Sequence, residues 1–152
     1  MTAAGAPGIF ICHRREDAAY PAGWLFDRLA ARFGATAIFN DVESIRLGDD
    51  FAEQILTAVG SCAVLLVVIG RRWLTATGSV GRRLDDAADI VRLEIEAALI
   101  RSVRVIPVLV DGAQMPRANE LPASLQALAR RQAVELRSGS FGVDTDRLMA
   151  VL

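Results

Sequence analysis

The sequence predicts an α/β domain built on one doubly wound, five-stranded parallel sheet with helices on both faces. Three observations predict it. Short apolar runs alternate with longer amphipathic stretches five times along 152 residues, as they do when parallel strands are joined by crossover helices. Two of those runs, AVLLVVI at 63–69 and VRVIPVLV at 103–110, are nearly continuous and rich in β-branched residues, as strands covered on both faces are. The length suits one domain, and 53% hydrophobic against 23% charged residues is enough for a core.

The elements follow in order. The first strand is read at 8–12, behind a flexible segment at 1–8. A helix over 21–33 carries Trp24, Leu25, Leu29 and Phe33 at helical spacing toward the core, and Gly34 ends it. The second strand is 35–39. Asp49 or Asp50 caps the next helix, with Phe51, Ile55, Leu56 and Val59 inward and Gly60 at its end. After the third strand, 63–69, the stretch 75–88 (TATGSVGRRLDDAA) reads as an exposed loop. Asp89 caps a helix over 90–101, and the fourth strand is 103–110. A weaker helix at 122–131, a fifth strand at 133–136 and a last helix from Asp144 onward complete the chain. The size suits a flavodoxin-like strand order of 2-1-3-4-5. Residues 9–152 thus form a single domain. Its apolar helical pattern runs to Leu152 without a cap, so the domain is expected to come from a longer protein.

Composition removes several function classes. The net charge is −1, which gives no electrostatic reason to expect nucleic acid. All 17 basic residues are Arg, so no lysine exists for a P-loop, a Schiff base or a general base. One His and two Cys cannot make a four-ligand zinc site, and no metal site is expected. Cys12 and Cys62 sit in or beside apolar runs and read as buried free thiols, which suits a reducing cytoplasm. The N-terminus lacks the pattern of a signal peptide. The longest apolar run is too short for a membrane helix.

Ligands of open parallel sheets bind beyond the carboxyl ends of the strands. The loops there hold His13, Arg14 and Arg15 after strand one, Asp41 to Gly48 after strand two, Arg71, Arg72 and Trp73 after strand three, and Asp111 after strand four. Two Arg-Arg pairs on one rim lean toward an anionic ligand, because guanidinium forks suit phosphate. Trp73 either lines a cleft or covers the sheet edge. His13 at a strand end reads first as a hydrogen-bonded structural group. There is no G-x-G-x-x-G after strand one, and Ser44 has no nearby His base, so a Rossmann clasp and a serine hydrolase are both unsupported. A response-regulator receiver needs a strand-three Asp and a Lys, where this chain has Gly70-Arg71 and no Lys.

Glu94 is the most informative carboxylate. At 100° per residue it falls on the apolar stripe of the helix 90–101, among Ile90, Val91, Ala97 and Ala98. It has no local cation, whereas Glu96 has Arg92 four residues before it. A carboxylate on such a stripe finds a partner elsewhere, shifts its pKa or faces a cleft. A salt bridge to a rim Arg is the competing reading.

Several segments, in order, resemble a TIR (Toll/interleukin receptor) domain. Residues 9–15, IFICHRR, resemble the family's first box, usually F-I-S-Y-R-R. Residues 39–51, FNDVESIRLGDDF, resemble its second box and BB loop. Residues 70–74, GRRWL, and 104–108, RVIPV, resemble the segment after strand three and strand four. Residues 90–95, IVRLEI, resemble the start of the helix where enzymatic members carry a glutamate. The flavour is bacterial.

The resemblance implies one of two functions. Many members cleave NAD at the nicotinamide–ribose bond, releasing nicotinamide and ADP-ribose or a cyclised product, often in defence. Others are non-catalytic modules that act by homotypic TIR–TIR assembly. On the first reading NAD is the substrate, with no metal or other cofactor. Glu94 is then the catalytic residue that holds the ribose hydroxyls and stabilises an oxocarbenium-like transition state. Arg14 and Arg15 would sit near the substrate, with His13, Trp73 and Ile90 lining its site, and Asp41 to Gly48 would form a gating loop. Two departures stand out. Cys12-His13 replaces the usual Ser-Tyr, and Ile90 stands where enzymatic members often carry an aromatic.

Overall fold

A computed structural model describes residues 8–40, 48 and 50–152. Its five-stranded sheet has the order β2-β1-β3-β6-β7. The strands are β1 (Ile9–Cys12), β2 (Ile38–Phe39), β3 (Val64–Ile69), β6 (Arg104–Val110) and β7 (Val134–Leu136), all parallel. This is the expected 2-1-3-4-5 arrangement of sheet strands. The helices are α1 (Arg15–Phe33), α2 (Phe51–Gly60), α3 (Ile90–Ile100) and α4 (Phe141–Met149). A small antiparallel hairpin, β4 (Thr77–Gly78) with β5 (Gly81–Arg82), stands apart from the sheet.

The period of two along each strand sorts the core into two layers. Leu65, Val67 and Ile69 of β3 face Ile55 and Val59 of α2 and Val91 and Ile95 of α3. Val64, Leu66 and Val68 face Leu25 and Leu29 of α1 and Leu148 of α4. All six β3 residues are buried, as a central strand covered on both faces requires.

Several expectations hold and several need correction. Asp50 caps α2, accepting from the amides of Ala52 and Glu53. Asp89 caps α3. Gly34 ends α1 at φ +92°, with its amide on the Ala30 carbonyl at 2.8 Å. Cys12 and Cys62 are buried free thiols.

The first helix, however, starts at Arg15 and not at residue 21. The extra turn is joined across a kink at Ala18 (φ −143°, ψ 33°), and Pro21 opens the straight part, where its missing N–H costs nothing. Trp24 is not in the core but 52% exposed. It lies 100° around the helix from Leu25, at the rim of the buried stripe, and packs edge-on against Phe141 at 6.0 Å. The expected loop at 75–88 holds the hairpin and a 3-10 turn, Arg83–Asp85. The weak helix near 122–131 is a 3-10 helix, Ala123–Arg130. The last helix begins at Phe141, three residues before Asp144. Gly8 is tied in, its carbonyl accepting from the Ala63 amide at 2.8 Å, whereas residues 1–7 of the expected flexible segment lie outside the described residues. Among the described residues no helix is long and apolar enough to cross a membrane.

Candidate functional site

The carboxyl end of β1, the hairpin region and the N-terminus of α3 enclose an open cleft of about 650 Å³, within the range of small-molecule sites. One wall is His13, Arg14, Arg15 and Glu16, where β1 turns into α1. The other runs from Gly78, Ser79 and Arg83 of the hairpin region to Asp89, Ile90 and Val91 at the start of α3.

Arg14 is built into the wall. It is 2% exposed, and its two terminal nitrogens donate to both carboxylate oxygens of Asp89 at 2.9 and 2.8 Å. One of those oxygens also accepts from the Arg92 amide at 3.1 Å, which makes it the cap of α3. The bidentate pair thus fixes β1 against the first turn of the helix that carries Glu94.

Glu94 is 4% exposed. It lies one helical turn beyond Ile90 and faces Cys12, the last residue of β1. The Cys12 thiol lies 4.0 Å from the Val91 carbonyl. Burial first, then the Glu94 charge and a hydrogen bond to Glu94, push this thiol well above its ordinary range. The thiol is therefore a neutral donor toward the carboxylate. Among the described residues the cleft wall on α3 is formed by Ile90 and Val91, one turn before Glu94. Ile90 is 47% exposed on that wall, at the position where an aromatic was looked for.

The other expected site residues divide. His13, Arg14, Arg15 and Ile90 come together at the cleft. Trp73 does not. It is fully buried among Leu84, Val91, Leu121 and their neighbours, because the turn Gly70–Trp73 folds it back under the sheet edge. Gly48 is exposed at φ +90°. Asp41 and the rest of the expected gating loop, 41–47, lie outside the described residues. Arg71 is drawn away from the cleft, its Nε donating to the Asp111 carbonyl at 2.7 Å. The expected surface pair Arg92–Glu96 is present at 2.9 Å.

Two neighbouring features were not read from sequence. Arg83 reaches the cleft from inside the expected exposed loop at 75–88 and pairs with Glu16 at 2.8 Å. The Arg82-Arg83 doublet was the signal available. Asp17 accepts from the amides of Gly70 and Arg72 at 2.8 and 2.7 Å, joining α1 to the end of β3. Its burial raises its pKa, against the pull of those two amides. Among the described residues no group of three or more His, Cys, Asp or Glu is arranged to hold a metal ion.

A family model described as "TIR domain" matches residues 9–149. Among solved structures, the TIR domains of the activated Roq1 resistosome, which directly recognises the pathogen effector XopQ, align with a TM-score of 0.66 at 15% identity. That alignment covers 95% of this chain and 98% of theirs. The TIR domain of the Toll-related receptor TRR-2 from Hydra magnipapillata aligns with a TM-score of 0.53 at 17% identity, over 95% of this chain and 97% of that one. At these identities the likeness is one of fold. No curated protein sequence matches this chain.

Proposed function

This chain belongs to the TIR domain family, and from that premise we propose that it cleaves NAD at the bond between nicotinamide and ribose. The observation that carries the reading is Glu94, a buried carboxylate on the apolar side of α3, one turn from the cleft wall. Burying a carboxylate on the apolar side of a core helix is costly, and this one lies beside the cleft. A carboxylate shielded from water is also a strong electrostatic partner for a developing positive charge.

In the proposed reaction the C1′–N bond breaks and its electron pair leaves with nicotinamide, which becomes neutral. Glu94 stabilises the resulting oxocarbenium-like ribose and holds its hydroxyls. Water or an internal nucleophile then takes C1′ and releases a proton. In this reading NAD binds in the cleft with its ribose toward Glu94, one turn along α3 from the wall residue Ile90.

A second reading, a non-catalytic assembly module acting in signalling, is favoured by one observation. Ile90 supplies no aromatic face for stacking a base or a nicotinamide ring. Nicotinamide release separates the two. Concentrated protein is incubated with NAD and the products are resolved by chromatography, with Glu94→Ala in parallel. Release by the parent alone establishes the enzyme. Self-association that survives Glu94→Ala with no change in NAD establishes the module.

A further inference from the structure

We propose that Arg83 is an anion-binding residue of the cleft and that Glu16 is its built-in competitor, holding the guanidinium until a pyrophosphate-like group displaces it. Among the described residues three arginines line the cleft: Arg14, Arg15 and Arg83. Arg14 is not available. Its side chain is 1% exposed and both terminal nitrogens are committed to Asp89. Turning it toward a ligand would leave the Asp89 carboxylate buried and unpaired, a large penalty.

Arg83 has the opposite character. Its pair with Glu16 is 2.8 Å long, but the two side chains are 43% and 42% exposed. Exposed pairs of this kind are weak, since water solvates either partner after separation. The backbone beneath Arg83 is nevertheless fixed. Its amide donates to the Ala76 carbonyl at 2.9 Å. The preceding Arg82 is tied to Asp85 and to the Glu120 carbonyl. The stem of Arg83 runs close to Gly78, where an added Cβ would meet its Cγ at 3.6 Å. The held backbone places the base of the side chain beside the cleft while its guanidinium exchanges partners.

Phosphate oxygens match that fork, and a pyrophosphate carries more charge than the single carboxylate it replaces. Glu16 therefore excludes weak anions and yields to strong ones. The natural ligand is a dinucleotide diphosphate only if the NAD reading above is correct. The anion site itself stands apart from that reading.

The test is calorimetric titration with inorganic pyrophosphate at low salt on the parent, Arg83→Gln, Glu16→Gln and, as a charge control on the exposed face of α4, Arg147→Gln. Loss of one charge-assisted contact weakens binding about tenfold in Arg83→Gln. Glu16→Gln, with the competitor gone, binds more tightly than the parent, a gain that misfolding cannot produce. Arg147→Gln stays close to the parent. No pyrophosphate binding by the parent, an Arg83→Gln no weaker than Arg147→Gln, or a Glu16→Gln no tighter than the parent overturns the proposal. The pyrophosphate result holding without NAD cleavage removes the enzyme reading and keeps the anion site. Glu94-dependent cleavage with unmoved pyrophosphate binding does the reverse.

Discussion

Arg14 grips Asp89 through both terminal nitrogens, and Asp89 is at the same time the cap of α3. One buried ion pair thereby sets the position of the helix that carries Glu94. Removing one partner leaves an uncompensated charge in a site where the side chains are 1% and 8% exposed. Asp89→Ala should lower stability by about 3–5 kcal/mol, read from urea unfolding. A loss no larger than that of an ordinary exposed cap would show that the pair is solvated.

Gly70 and Asp17 form a second joint. A Cβ on Gly70 would lie 2.6 Å from an Asp17 carboxylate oxygen, whose partner oxygen accepts from the Gly70 amide. Gly70→Ala should cost about 1–3 kcal/mol through overpacking. With Asp17→Ala already in place the clash is gone, so the two changes are strongly non-additive in a double-mutant cycle. Additive losses would contradict the geometry.

Acid should act through Asp144. Its carboxylate accepts from the Arg137 amide and the Ser140 hydroxyl at 2.8 and 2.9 Å and meets the Arg137 guanidinium. The Arg137 side chain, then its amide, hold the pKa down to about 2. A pKa below the unfolded value of about 3.9 means the contribution is present above that value. It is lost as pH falls through about 2. Asp144→Asn should show a flatter fall in stability over that window. Parallel acid unfolding curves for the two proteins would count against this account.

The thiols should be silent in the folded protein. Burial pushes Cys62 up to about 11 and holds Cys12 well above its ordinary range, with both side chains inside the core. Alkylation at neutral pH should modify neither until denaturant is added, and then both. Rapid modification of the native chain would overturn this.

Much of the fold was legible because burial dictates its pattern. The strands at 63–69 and 103–110, the caps Asp50 and Asp89 and the stop at Gly34 follow from local chemistry, and each is found in the structure. Periodicity places Trp24 inward because its spacing fits a helix face, while the apolar stripe is completed by small residues, Ala18 and Ala22, which periodicity weighs lightly. The place of Trp73 is not legible because a residue just past a strand can turn either way, and the four-residue turn Gly70–Trp73 decides it. The hairpin was missed because two-residue strands carry no alternation. Of the candidate site, the resemblance located Glu94 and the first wall. It could not show that Arg14 is committed to Asp89, a contact 75 residues apart in sequence, nor that Arg83 faces the same cleft.

The central claim rests on Glu94, and nicotinamide release tests it most directly. Parent and Glu94→Gln are compared at high protein concentration and again with chains crowded on beads, so that assembly is not limiting. Loss of the charge should reduce the rate about 10²–10³-fold, as for other preorganised electrostatic groups. Equal release by both proteins, or no release by the parent even when crowded, would contradict the claim and leave a TIR domain that works by assembly alone.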